Sequence, residues 1–227
     1  IANLEFKMAF YFVCLGIFFD FFDGFFARKF GVAGPLGVQL DSLADMVTSG
    51  VAPGFLMYKI LPSFSTINDL NDNISDCFPL LKNNPSALLP YIGFVITLGA
   101  CYRLAKFNID TRQTDSFIGL PTPANALLIM SIPMIQYAGT HEWLVEALYN
   151  PFILLAITIL SAYMLNAEIP LFSLKMKDFS WEKNKLQVIF LVLSFVLLFL
   201  IGFTALPVII LLYVALSVIN NTVLAKK

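Results

Sequence analysis

Seven stretches of the chain run almost without charge: residues 7–28, 35–60, 87–107, 121–139, 150–166, 186–202 and 206–223, each bounded by polar residues, glycine or proline. A helix needs about 20 such residues to cross the hydrocarbon core of a bilayer, and these runs are of that length. None alternates apolar and polar positions as a barrel strand does, and backbone groups cannot stay unpaired in hydrocarbon, so the pattern predicts helices. The expected fold is an all-α, polytopic transmembrane bundle of about seven spans, a single membrane domain over 1–227. Within it, 7–60 is expected to form a helical hairpin and 186–223 a closing helix pair. The chain opens at Ile1-Ala2-Asn3 without an initiator methionine or a signal pattern, so one more helix is expected ahead of it.

Composition agrees with this pattern. The chain is 59% hydrophobic and 13% charged, against about 25% charged in soluble domains, and no soluble domain fits. A net charge of −1 and the lack of a long basic run argue against a nucleic-acid partner. Cys14, Cys77 and Cys101 show neither pairing nor metal-type spacing and read as small apolar packing residues. His141, in Thr-His-Glu-Trp between spans, reads as solvated or interfacial.

Basic residues orient the bundle. Arg28, Lys29, Arg103, Lys106, Arg112, Lys175, Lys177, Lys183, Lys185, Lys226 and Lys227 fall on one side, and only Lys7, Lys59 and Lys82 on the other, which makes the first side cytoplasmic. The polar, acidic loop 62–86 is then exterior. The segment 172–185, four lysines among Phe172, Leu174, Met176, Phe179 and Trp181, is expected on the inner membrane surface near anionic lipid.

Four aspartates break the apolar pattern: Asp20 and Asp23 in the first stretch, Asp41 and Asp45 in the second. A carboxylate in a membrane helix costs about 2.5–3.5 kcal/mol on insertion scales, so something must hold all four. Spacings of three and four place each pair on one helical face. Gly31-Val-Ala-Gly34-Pro35 supplies the turn between, with Pro35 suited to a first helical position. At 1.5 Å per residue, Asp23 and Asp41 each lie roughly 10 Å from that turn, at one depth. Gly24, Gly37 and Ala27 leave room for a backbone or ligand to approach, and Arg28 either clamps a phosphate or snorkels to the interface.

Carboxylates without histidine or cysteine suit a hard divalent cation, Mg²⁺, Mn²⁺ or Ca²⁺, and four suggest two ions. Two ions suit phosphoryl transfer, with one carboxylate free to act as a base. Arg28 and Lys29 alone cannot neutralise four anions as salt bridges. A divalent-cation transporter is the reading from another class; against it, the acids gather near one face and the chain shows no inverted repeat.

The full spacing is Asp20-x2-Asp23-Gly24-x2-Ala27-Arg28-x8-Gly37-x3-Asp41-x3-Asp45. Every fixed position resembles the signature of the CDP-alcohol phosphatidyltransferase family. The resemblance implies that Asp20, Asp23 and Asp41 hold two divalent cations, Mg²⁺ or Mn²⁺, and that Asp45 completes the site and acts as the base. It implies that Gly24, Ala27, Arg28 and Gly37 shape the CDP-lipid pocket. Cys101-Tyr-Arg103-Leu-Ala-Lys106-Phe-Asn108 and Gly119-Leu-Pro-Thr-Pro-Ala-Asn125, with two helices added after the usual core, resemble the phosphatidylserine synthases. Lys106 stands where that pattern usually carries arginine.

Transfer of a phosphatidyl group from CDP-diacylglycerol to L-serine, with release of CMP, is then the implied activity, in a homodimer of the cell (inner) membrane. Glycerol phosphate, inositol or inositol phosphate remain alternative acceptors. Arg103, Lys106 and Arg112 are candidates for binding the acceptor carboxylate or a lipid phosphate, or serve only as topology-setting charges.

Overall fold

Apolar residues around the whole circumference, with no proline or capping break, make α1 (Phe6–Lys29) one continuous helix of 24 residues. Phe10 and Val13 turn inwards, while Phe12, Phe18, Phe19, Phe21 and Phe25 stay exposed, a surface suited to lipid. The computed structural model describes residues 1, 5–31, 34–61, 88–110, 116–139, 142–172 and 181–224. The loop 62–86, Cys77, Arg112, His141, Lys175 and Lys177 lie outside them.

After Gly31, whose φ of 67° turns the chain, extended Gly34 caps α2 (Pro35–Asp45) and Pro35 takes its first turn. The helix then widens into a π segment (Met46–Val51) before α3 (Ala52–Ile60) resumes. Pro53 has no N–H to offer the preceding turn, which is where a helix of uniform pitch fails. The Thr97 hydroxyl donates to the Gly50 carbonyl at 2.9 Å and so satisfies a backbone acceptor in the widened turn.

A 3₁₀ turn (Leu89–Gly93) leads into α4 (Phe94–Ile109). Next come β1 (Ser116–Ile118), α5 (Thr122–Met130), α6 (Ile132–Tyr137), α7 (Glu142–Leu148), α8 (Pro151–Asn166) and β2 (Pro170–Phe172). The chain closes with α9 (Trp181–Ile201) and α10 (Leu206–Leu224), joined by a 3₁₀ turn (Gly202–Ala205). The Asn150 side chain accepts from the Phe152 N–H and caps α8. Ser161 on α8 donates to Asn125 on α5 at 2.6 Å, a buried polar tie between two otherwise apolar helices.

The sequence pattern does not anticipate β1 and β2, which pair antiparallel with Ser116, Phe117 and Ile118 opposite Phe172, Leu171 and Pro170. This short ribbon is a local addition to an all-helical membrane fold. One core joins α1, α3, α5 and α6 around Phe10, Leu56, Met57 and Ile129; a second joins Leu120, Leu171, Phe190, Ile209 and Tyr213.

The count of seven spans is not confirmed. Among the described residues, three helical stretches are long and apolar enough to cross a membrane: Phe6–Ala27, Leu89–Ile109 and Asn184–Asn221. Glu142–Leu148 with Pro151–Asn166, bent by 61°, makes a fourth if counted as one span. The stretch expected over 35–60 is divided by the π segment, and that over 121–139 breaks at Ser131 ahead of Pro133. The two final stretches meet through Gly202, whose φ is 61°.

Candidate active site

Spacings of three on α1 and four on α2 set each pair of acids on one helical face. Asp20, Asp23 and Asp41 each bring one carboxylate oxygen within 4.8 Å of the others. Asp20 is half-buried, while Asp23 and Asp41 are exposed. Asp20 lies within hydrogen-bond reach of Asp41, and the charges of Asp23, Asp41 and Asp45 all act on it. Asp45 stands one turn deeper on α2, and its Oδ1 is buried with no donor among the described residues.

Such an arrangement is unfavourable on its own, because clustered carboxylates repel and a buried oxygen without a donor loses its hydration. A hard cation removes both penalties, and a donor set made only of carboxylate oxygens is the kind that Mg²⁺ or Mn²⁺ prefers. The residues present therefore fit a divalent cation.

Two further elements close on Asp45. From α4 comes Arg103, only 8% exposed, whose charge acts on Asp45 and on Tyr213, and whose Nε has no partner among the described residues. From the start of α5 comes Thr122, 1% exposed, whose hydroxyl donates to the Asp45 carboxylate. Gly119, at φ 76°, permits the sharp turn that carries the chain from β1 into α5 and delivers Thr122. The hydroxyl orients the carboxylate, and the nearby positive charge offsets part of the repulsion from the other acids.

Close packing fixes these helices. A Cβ on Gly16 would stand 3.0 Å from Thr48 Cγ2, so α1 lies directly against the turn that follows Asp45. Asn108 Nδ2 donates to Ser42 Oγ at 2.9 Å and ties α4 to α2 beside Asp41. In contrast, a Cβ on Gly37 would meet nothing within 4 Å, so that flank is open. Gly24 and Ala27 are half-buried on α1; Arg28 lies in the same helix, but its side chain is outside those described.

Of the basic candidates, Arg103 alone is seen beside the acids. Lys106 pairs with Glu168 at 3.5 Å, and Arg112 is outside the described residues. Thr122 and Tyr213 are the contacts that sequence did not single out. Thr122 stands there within the Gly119–Asn125 stretch, which resembles the phosphatidylserine synthases or reads as a helix start, with no role of its own, and Tyr213 is one more apolar position in the last span.

The family model for CDP-alcohol phosphatidyltransferase matches residues 2–152. The chain is 35% identical over 150 residues to a CDP-diacylglycerol–serine O-phosphatidyltransferase of Bacillus subtilis, covering 64% of this chain and 63% of that protein. It is 36% identical over 118 residues to the protein of that name in Methanocaldococcus jannaschii, covering 52% and 46%. It is also 32% identical over 149 residues to an archaetidylserine synthase of Methanothermobacter thermautotrophicus, covering 64% and 52%. The matches thus span between about half and two thirds of those relatives.

Proposed function

We propose that this chain, which belongs to the CDP-alcohol phosphatidyltransferase family, transfers a phosphatidyl group from CDP-diacylglycerol to L-serine, yielding phosphatidylserine and CMP. The carrying observation is the convergence of Asp20, Asp23 and Asp41 with the partnerless oxygen of Asp45. Relatives named for the serine reaction, in bacteria and archaea, support the acceptor.

Asp20, Asp23, Asp41 and Asp45 would hold two divalent cations, Mg²⁺ or Mn²⁺, which when bound neutralise the diphosphate and stabilise the leaving oxygen. Asp45 takes the proton of the serine hydroxyl, with Thr122 orienting its carboxylate. The serine oxygen then bonds to the lipid-bearing phosphorus, the bond from that phosphorus to the CMP oxygen breaks, and CMP departs with the electron pair. No covalent bond to the enzyme is needed. Arg103 faces the acceptor side, where its guanidinium suits the serine carboxylate or the lipid phosphate. Lys106, tied to Glu168, and Arg112 are the further candidates for binding the serine carboxylate or the lipid phosphate.

Gly24, Ala27, Arg28 and Gly37 border the CDP-lipid pocket, a reading that the open flank at Gly37 favours. The enzyme works as a homodimer in the cell membrane with this site open to the cytoplasm, the side that the basic residues mark. CMP release from CDP-diacylglycerol with Mn²⁺, measured across serine, glycerol phosphate, inositol and inositol phosphate, tests the reading. Serine-dependent release is the expected result. Release with a different alcohol would replace the acceptor, and cation uptake into proteoliposomes without any CDP-lipid would replace the enzyme with a transporter.

A further inference from the structure

A cavity of about 320 Å³ lies among α5, α6, α8 and α10, with almost wholly apolar walls. Its lining includes none of the four aspartates and neither Arg103 nor Thr122. At the end nearest Thr122 in the chain, the Leu120 N–H donates to the Met164 carbonyl at 2.9 Å, and both residues belong to the wall. The α8 and α10 walls, from Ile157 to Val214, lie beyond the residues that match the family model.

Water is a poor occupant of such a space. The one polar side chain in the wall, Ser161, already donates its hydroxyl proton to Asn125 at 2.6 Å, and a buried water needs two to four polar partners. Protein interiors hold few voids larger than a water molecule, so a space of this size suits an apolar guest. With a methylene taken as similar in volume to a water, about 30 Å³, it holds about ten of them, a large part of one acyl chain.

The way in is sideways. Leu160 on α8 and Leu211 on α10 line the cavity yet are 59% and 62% exposed, while Ile132, Ile135 and Ile210 behind them are buried. Their neighbours Ile159, Tyr163 and Val208 are exposed as well. Both helices belong to stretches long and apolar enough to cross a membrane, α8 as part of the bent pair. The mouth is therefore continuous with the apolar surface that lipid covers.

We infer that this cavity binds one acyl chain of a bilayer phospholipid, which enters from the membrane between Leu160 and Leu211 and packs against Ile132, Ile135 and Ile210. The occupant is a resident lipid and not the CDP-linked donor, whose phosphates belong among the aspartates. The inference stands on the wall, the volume and the lateral mouth, and does not depend on the serine reaction.

The test uses full-length protein in nanodiscs of phosphatidylethanolamine and phosphatidylglycerol, the latter carrying a diazirine near the end of one acyl chain. After irradiation, mass spectrometry should find adducts on the buried residues Ile132, Ile135 or Ile210, besides those on exposed positions such as Phe195 and Phe199. Leu211→Trp narrows the mouth from an exposed position and should cut the inner adducts severalfold, with labelling of Phe195 and Phe199 as the internal reference. Excess CDP-diacylglycerol should leave the inner adducts unchanged. Adducts confined to exposed residues overturn the inference, as do inner adducts that Leu211→Trp leaves at the wild-type level. Inner adducts that CDP-diacylglycerol displaces overturn it too, and give the cavity to the donor. No turnover is read, so a protein that ignores serine sinks the proposed transfer and leaves this result standing.

Discussion

Asp45 differs from its three neighbours in having the Thr122 hydroxyl on its carboxylate, the Arg103 charge acting on it, and one buried oxygen without a donor among the described residues. Under the proposed function, that asymmetry suits Asp45 to proton transfer, and Asp20, Asp23 and Asp41 to cation binding. Asp45→Asn keeps the shape and removes the base, so kcat should fall about 10²- to 10⁴-fold. Calorimetry should still detect Mn²⁺ binding in that variant, and near wild-type turnover would take Asp45 out of the role. Asp41→Asn removes one of three converging ligands and should abolish Mn²⁺ binding in the same experiment. The four acids were legible in the sequence because a carboxylate in an apolar helix is an energetic anomaly and helical spacing says which faces share it. Arg103 was legible only as a positive charge at the end of a span. Thr122 was hidden, since its contact with Asp45 depends on a glycine turn and a strand pairing that join positions far apart in the chain.

Between helices, the fit is set by absent side chains. At Gly93 a Cβ would stand 2.6 Å from Tyr58 N and 2.8 Å from the Gly54 carbonyl oxygen, both backbone atoms. Neither can step aside, so Gly93→Ala should cost about 1–3 kcal/mol and lower the melting temperature of the detergent-solubilised protein. An unchanged melting temperature would mean that α3 and the start of α4 are not packed this closely. Helix existence was legible from hydropathy, but helix interruption was not. The π segment after Asp45 arises from Pro53 acting on a turn whose carbonyl finds Thr97 in another helix. The ribbon of β1 and β2 escaped notice because three residues carry no periodicity, and because its anchors, Tyr213 and Asn221, lie on α10.

Across the molecule, exposed aromatic and aliphatic side chains on α1 and α9, such as Phe19, Phe21, Phe195 and Phe199, give a surface that only lipid or another apolar partner can cover. Composition made the membrane class plain, whereas the number of crossings was less legible, because hydropathy averages over the breaks at Pro53, Ser131 and Gly202. The orientation rests on the distribution of basic residues and is open to labelling. Gly37→Cys, made in a chain whose own cysteines are replaced by serine, should react with an impermeant maleimide in inside-out vesicles and stay unlabelled in right-side-out ones. The reverse would put the acidic site outside. The central claim is that the four aspartates of α1 and α2 form one divalent-cation site that drives transfer to serine. It is tested most directly by the initial rate of labelled phosphatidylserine formation from CDP-diacylglycerol and isotopic serine as Mn²⁺ is titrated. The account expects no product without a divalent cation, a saturable rise with it, and no rise in Asp41→Asn. Product formed at the same rate in the presence of excess chelator, or a rise that survives Asp41→Asn, would contradict it.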